Sequence, residues 1–188
     1  MTGTYDPWVN VKTRHGFAAD EVISALQKEI RRGNTENAVL LAYEMITTSP
    51  EMEAKLWQRL LVISVEDIGW GEVQAPILIH ALCQMRLAFD YGMGDRNLFS
   101  IHAVRYLCAC QKDRSSDEML NWVIQQVEGG QLLPTIPEYA LDMHTARGQQ
   151  MGRGLRHFLE EGAKISPELP GRDTTYREKL LTLLDKND

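Results

Sequence analysis

The sequence is poor in the features that disulfide scaffolds, nucleic-acid binders and membrane proteins need. Its three cysteines, Cys83, Cys108 and Cys110, are odd in number and lie in apolar stretches. No secretory segment is recognised in the sequence. We therefore expect reduced thiols and a cytoplasmic protein. The 20 basic residues are outnumbered by 26 acidic ones. The net charge of -6 therefore lacks the excess of positive charge that general nucleic-acid binders carry. No apolar run approaches the roughly 18 residues that a membrane helix needs, so no membrane contact is expected.

Alternation of apolar and polar residues, the mark of a half-buried strand, is also missing, whereas apolar residues recur at helical spacing. A composition that is 44% hydrophobic can fill one sizeable core. Six amphipathic helices are predicted before residue 130, and the fold class is therefore all-α, a multi-helix bundle. The predicted helix ends are Gly33 as a stop, Asn34, Ser49 and Asp95 as caps, and a capping box of Ser115 and Glu118.

The chain after residue 130 is less regular. Because a proline disfavours helix at the preceding residue, positions 133–137 are predicted to be an extended connector, with a seventh helix from Pro137. Closely spaced glycines predict a break near Gly152–Gly154, and short helices are expected at Leu155–Ala163 and Tyr176–Leu184. We divide the chain into an N-terminal extension (1–17), a helical domain (18–165) and a short helical C-terminal tail (166–188).

Signatures of catalysis and metal binding are missing as well. The phosphate-binding pattern G-x-x-x-x-G-K-[ST] does not occur, so we expect no ATPase activity from these residues. No histidine pair has the H-E-x-x-H spacing, and Cys108-x-Cys110 is one residue short of the usual zinc spacing. His80 and His102 lie in apolar helices and are predicted to be core or boundary residues. We therefore predict no catalytic residue, no cofactor and no metal.

A cationic group near the glycine-rich break is the strongest candidate for a ligand surface. It could bind phosphate, nucleic acid or an acidic partner segment. The alternative is that its arginines are solvated and pair with the excess acids. The spacing of Asp142 and His144 suits local hydrogen bonding better than shared metal ligation. The candidate surface consists of Asp142, His144, Arg147, Arg153 and Arg156, with Lys112, Arg114 and His157 as further members.

The adjacent acids Glu66 and Asp67 are unusual because they end a predicted helix, where carboxylates oppose the helix dipole. We expect compensation by an arginine such as Arg59 or Arg105, or by the N-terminus of another helix, and we favour this structural role over catalysis. The tryptophans are too scattered for a base-stacking platform. Trp57 and Trp122 are interpreted as packing anchors on helical faces.

Several strings resemble one family. Residues 24–34, Ser-Ala-Leu-Gln-Lys-Glu-Ile-Arg-Arg-Gly-Asn, resemble the helical pair that opens the C-terminal domain of the RarA/MgsA AAA+ ATPases, the replication-associated recombination proteins. Residues 59–69, ending in Val-Glu-Asp-Ile-Gly, are similar to that family's third helix, and residues 103–107 to a later one. Looser similarity follows at Pro137 and through Asp142 and His144 to Gly154. The resemblance spans about residues 21–154.

The resemblance implies an all-helical domain like the clamp-loader collar, which the family uses to oligomerise, typically as tetramers, behind a motor acting at DNA ends and stalled forks. It carries Glu66, Asp67 and Gly69 over as structural residues. The motor is missing from this sequence and the tail from Leu155 departs from the family's ending. We therefore expect a stand-alone, non-catalytic module that forms a tetramer or dimer, with an AAA+ ATPase or DNA-repair protein as a further partner.

Two alternatives stay open. One is an anion-binding protein or small enzyme that uses Asp142, His144, Arg147 and Arg153. The other is a DNA-associated accessory factor, which the net negative charge disfavours. Direct binding of nucleic acid stays open at this point.

Overall fold

The computed structural model describes residues 7–186, and all regular secondary structure in that range is helical apart from one isolated bridge between Lys12 and Ala18. This confirms the all-α prediction. The described residues form two compact units, which divide between Gly129 and Gly130. The start of the predicted N-terminal extension (1–6) and the end of the predicted tail (187–188) lie outside the described residues. The predicted boundaries at residues 17 and 165 stay predictions.

Over residues 7–129, the first unit is a bundle of six α-helices. Helix α2 packs against α1, α3 and α5, and α4 packs against α5. A π-helical turn, Ser64–Ile68, continues α3, and 3-10 turns lie at Pro7–Asn10, Gly69–Gly71 and Arg86–Ala88. The α-helices are α1 (Ala19–Arg32), α2 (Thr35–Thr48), α3 (Pro50–Ile63), α4 (Ala75–Met85), α5 (Gly94–Ala109) and α6 (Ser115–Glu128).

The core of this unit is formed by apolar residues at helical spacing. Each large aliphatic side chain that is buried contributes about 1.5–3 kcal/mol relative to an exposed one. Trp57 is 2% exposed, which confirms it as a packing anchor. Trp122 is 54% exposed, so the same interpretation is wrong for that residue. The largest buried aliphatic side chains include Leu26, Ile30, Met45, Leu56, Leu60, Ile63, Ile79 and Leu107.

The helix ends follow the predicted signals only in part. Gly33 ends α1 in the left-handed region at φ 73°, and the Ser49 hydroxyl accepts a hydrogen bond from the Met52 N–H at 3.2 Å, as predicted. Asn34 precedes α2 but makes no side-chain cap hydrogen bond. Asp95 lies inside the first turn of α5, which begins at Gly94, so its prediction as a cap is wrong.

The predicted capping box at the start of α6 is also wrong. The Ser115 side chain does not cap the helix, because its hydroxyl and its N–H both donate to the carboxylate of Asp113. Glu118 contributes its backbone N–H to the Arg114 carbonyl, which is the first helical hydrogen bond. An acid two residues upstream therefore replaces the serine as the acceptor at this helix end.

The second unit is built from short helical pieces. They are α7 (Ala146–Gln150), α8 (Leu155–His157) continued by a π-helical turn (Phe158–Gly162), and α9 (Thr175–Asp185). The break at Gly152, whose φ is 70°, is confirmed. The helix predicted from Pro137 is wrong, since only a 3-10 turn forms at Glu138–Ala140. The Arg153 guanidinium donates to the carbonyls of Glu138 and Leu141, which no continuing helix occupies in full.

The histidines of α4 and α5 and the lengths of the helices complete the comparison with the sequence. His80 and His102 are exposed on α4 and α5, so their prediction as core or boundary residues is wrong. Within residues 7–186, no helix combines the length and apolar character needed to cross a membrane.

Candidate functional site

A buried carboxylate joins three parts of the first unit. The Asp67 side chain is fully buried and accepts hydrogen bonds from Arg31 on α1 and from Arg114 at the start of α6, the latter at 2.6 Å. Gln27 donates to its second oxygen at 2.9 Å. Burial alone would raise the Asp67 pKa, but the hydrogen bonds from Arg31, Gln27 and Arg114 outweigh it and lower the pKa. Asp67 therefore stays ionised as the centre of an ion-pair cluster.

Glu66 lies at the more accessible edge of the same cluster. Its carboxylate is 3.2 Å from guanidinium nitrogens of both Arg31 and Arg114, and 3.5 Å from one of Arg59. The prediction of an arginine partner is confirmed for Arg59, whereas Arg105 makes no such contact within the described residues. With these partners both acids accept hydrogen bonds or ion pairs from arginine.

Gly69 allows the turn after α3 to touch the turn before α6. Its φ is 51°, and a side-chain Cβ there would lie only 2.6 Å from the backbone oxygen of Asp113. The Trp70 N–H donates to the Asp113 carboxylate at 3.2 Å, and the Asp113 N–H donates to the Asp67 carbonyl at 3.0 Å. The geometry of Glu66, Asp67 and Gly69 thus fixes the base of α6.

An apolar groove, which we call the α6 groove, lies beside this cluster. It has a volume of about 440 Å³ and opens between the end of α3, the start of α4 and helix α6. Trp70 is 75% exposed at its edge. The apolar side chains that line the groove are Val62, Val65, Trp70, Val73, Pro76 and Leu120.

Helix α6 itself has no buried residue. Its contacts with the rest of the first unit are concentrated at the π-helical turn Ser64–Ile68. An amphipathic helix normally covers its apolar face against a neighbour. Here large apolar side chains remain accessible along the whole helix, namely Met119, Leu120, Trp122, Val123, Ile124 and Val127.

A second apolar surface, the α4 surface, is formed by Ile77, Ala81 and Met85. These residues recur at every fourth position and are all exposed, Ile77 to 65% and Met85 to 55%. Beside them a shallow hollow of about 240 Å³ is lined by Leu82, Leu98, Phe99 and His102. Helix α4 contains no Asp, Glu, Lys or Arg. The α4 surface is therefore apolar, and helix α4 contributes no formally charged side chain to it.

In the second unit, Asp142 and His144 form a local pair. The Asp142 carboxylate accepts from the His144 N–H at 2.9 Å and lies 3.2 Å from the ring Nδ1. The backbone hydrogen bond from His144 is the main cause that lowers the Asp142 pKa. Local hydrogen bonding, as predicted from the spacing, is confirmed, although the residues form a turn before α7 rather than part of a helix.

The arginines of the predicted anion surface mostly have partners already. Arg153 holds two carbonyls and pairs with Glu138, and Arg156 pairs with Glu160 and Asp185. Arg147 is exposed on α7. Anion binding by Asp142, His144, Arg147, Arg153 and Arg156 stays a prediction.

Two cations expected to join that surface are engaged within the first unit. The Lys112 ammonium donates to the carbonyls of Leu107 and Cys108 at 3.0 Å, at the end of α5. Arg114 belongs to the Asp67 cluster. Across residues 7–186, no group of three or more His, Cys, Asp or Glu side chains is placed to hold a metal ion.

Comparison with known proteins identifies a family with the same helical range. The family model described as MgsA AAA+ ATPase C terminal matches residues 33–163, a range that contains α2 to α6, Glu66, Asp67 and Gly69. A search of curated proteins found no match.

Proposed function

The chain belongs to the MgsA AAA+ ATPase C-terminal family, and from this membership together with its exposed surfaces we propose that it is a non-catalytic helical association module. In this role it assembles with copies of itself, as a dimer or tetramer. It also contacts a partner protein, for which an AAA+ ATPase or a DNA-repair protein is the candidate. A cytoplasmic location and a role in DNA replication and repair belong to the same proposal.

The α4 surface carries the argument for self-association. Ile77, Ala81 and Met85 form an exposed apolar stripe on a helix without formal charge. Two such stripes can face each other across a twofold axis without opposing like charges. A specific interface buries about 800 Å² on each partner, which is more than one helical stripe offers. The adjoining hollow at Leu98 and Phe99 extends the apolar area, so α4 and α5 together are the proposed contact.

Light scattering of the purified chain tests the proposal. The natural sequence is expected to have the mass of a dimer or tetramer, whereas a variant with both Ile77→Lys and Met85→Lys is expected to be monomeric. Leu40→Lys is the matched control, because Leu40 is 62% exposed on α2, which packs against α1, α3 and α5. Circular dichroism checks that all variants stay helical. An unchanged mass in the double variant would contradict the assignment of this surface.

A further inference from the structure

We propose that the α6 groove and the exposed apolar face of α6 bind a basic amphipathic helix of a partner protein. The inference extends the proposed function, since it requires an association module, but it concerns a different surface from the α4 surface. The partner helix carries bulky apolar side chains flanked by Lys or Arg.

The shape of the surface suits a helix. Helix α6 is 14 residues long, and its exposed Met119, Val123 and Val127 follow each other at every fourth position. Leu120 belongs both to this face and to the α6 groove, so the two are continuous. A helix laid along α6 could place one apolar side chain in the groove while its others cover the α6 face.

The charges of the surface select the partner. The only charged residues of α6 are Asp117, Glu118 and Glu128. Asp117 is paired with Arg114, whereas Glu118 and Glu128 are exposed and form no ion pair with any other residue of the 7–186 range. Glu72, near Trp70 in the chain, likewise lacks a basic partner in that range. The unpaired charges of α6 itself and that of Glu72 are therefore negative.

The nearby cations do not offset these acids. Arg31, Arg59 and Arg114 are all turned to Glu66 and Asp67. A partner with Lys or Arg beside its apolar face would meet complementary charge. The face of Trp70 offers a further contact, since cations bind favourably over indole rings.

The same charges disfavour a second copy of α6 as the occupant. Two α6 helices packed face to face would bring carboxylates together with no base on either helix. Like charges placed across an interface suppress that pairing. The uncharged helix α4 has no such penalty, and this difference separates the surface for self-association from the surface for another protein.

A designed peptide serves as the probe for binding to the full chain. It has the 14-residue length of α6, with leucines at helical spacing and lysines at the remaining positions. A matched peptide carries glutamates in place of the lysines. By isothermal titration calorimetry, the lysine peptide is expected to bind at least about tenfold more tightly than the glutamate peptide.

Variants of the chain locate the binding and separate it from general attraction to an acidic protein. The double change Glu118→Lys and Glu128→Lys, and separately Trp70→Ala, are each expected to weaken binding of the lysine peptide at least about tenfold. The matched control is Glu21→Lys with Glu36→Lys, which alters net charge equally on the exposed faces of α1 and α2. The control is expected to retain most of the affinity.

The outcomes distinguish this inference from the proposed function. Equal binding of the two peptides, or equal loss in the charge-reversed and control variants, would overturn the choice of a basic partner. If Trp122→Lys turned an oligomer into a monomer, a second copy would occupy α6 and the inference would fail while self-association stood. Site-specific binding by a chain that is always monomeric would support the inference and remove self-association from the proposed function.

Discussion

Removal of the Asp67 carboxylate is the most informative perturbation of the fold. In Asp67→Ala, the guanidinium groups of Arg31 and Arg114 and the amide of Gln27 lose their shared buried acceptor. Breaking a buried ion pair costs about 3–5 kcal/mol when the remaining charge has no other partner. Both arginines are about 30% exposed and still face Glu66, so solvent and Glu66 reduce this loss. We expect a decrease of about 2–3 kcal/mol in the free energy of unfolding.

Urea unfolding followed by circular dichroism measures this loss. The matched control is Asp117→Ala, which removes another carboxylate that pairs with Arg114, but at the rim of the cluster. Because Arg114 keeps Asp67 and Glu66 as partners and Asp117 is partly exposed, the control is expected to lose less than about 1 kcal/mol. Equal losses in the two variants, or a loss below about 1 kcal/mol in Asp67→Ala, would refute the idea that this cluster fixes α6.

Two more predictions concern the same motif. Gly69→Ala is expected to destabilise the chain by about 2–4 kcal/mol, since the added Cβ meets the Asp113 carbonyl and φ is positive. Thermal unfolding measures this loss, and an unchanged midpoint would contradict the close approach of Gly69 to Asp113. The pKa of Asp67 is lower in the folded chain than its ordinary value of 3.8, so its stabilisation is present above about pH 4 and is lost as pH falls through the folded pKa. Urea titrations from pH 6 to 3 should therefore show a smaller loss of stability in Asp67→Asn than in the natural chain.

The helices could be predicted because their periodicity and end signals are local. Gly33 and the cap at Ser49 were recognisable within a few residues of chain. The start of α6 was not, because the acceptor there is Asp113, whose position is fixed by contacts with Asp67 and Trp70. Local sequence rules cannot rank two neighbouring acceptors when tertiary contacts decide between them.

The ion-pair cluster and the exposed surfaces depend on tertiary contacts that the local sequence does not reveal. Acids at a helix end such as Glu66 and Asp67 need a compensating cation, yet Arg31 is 36 residues from Asp67 in the chain and no periodicity links them. For Trp122, the helical pattern correctly placed it on an apolar face. The pattern does not reveal whether another element covers that face, and in α6 none of the residues is buried.

Light scattering of the natural chain over a concentration series measures directly whether the chain assembles with itself. We expect a defined dimer or tetramer that persists on dilution, because an uncharged apolar stripe on α4 is exposed in the single chain. A monomer at every concentration would contradict self-association as the function of this module.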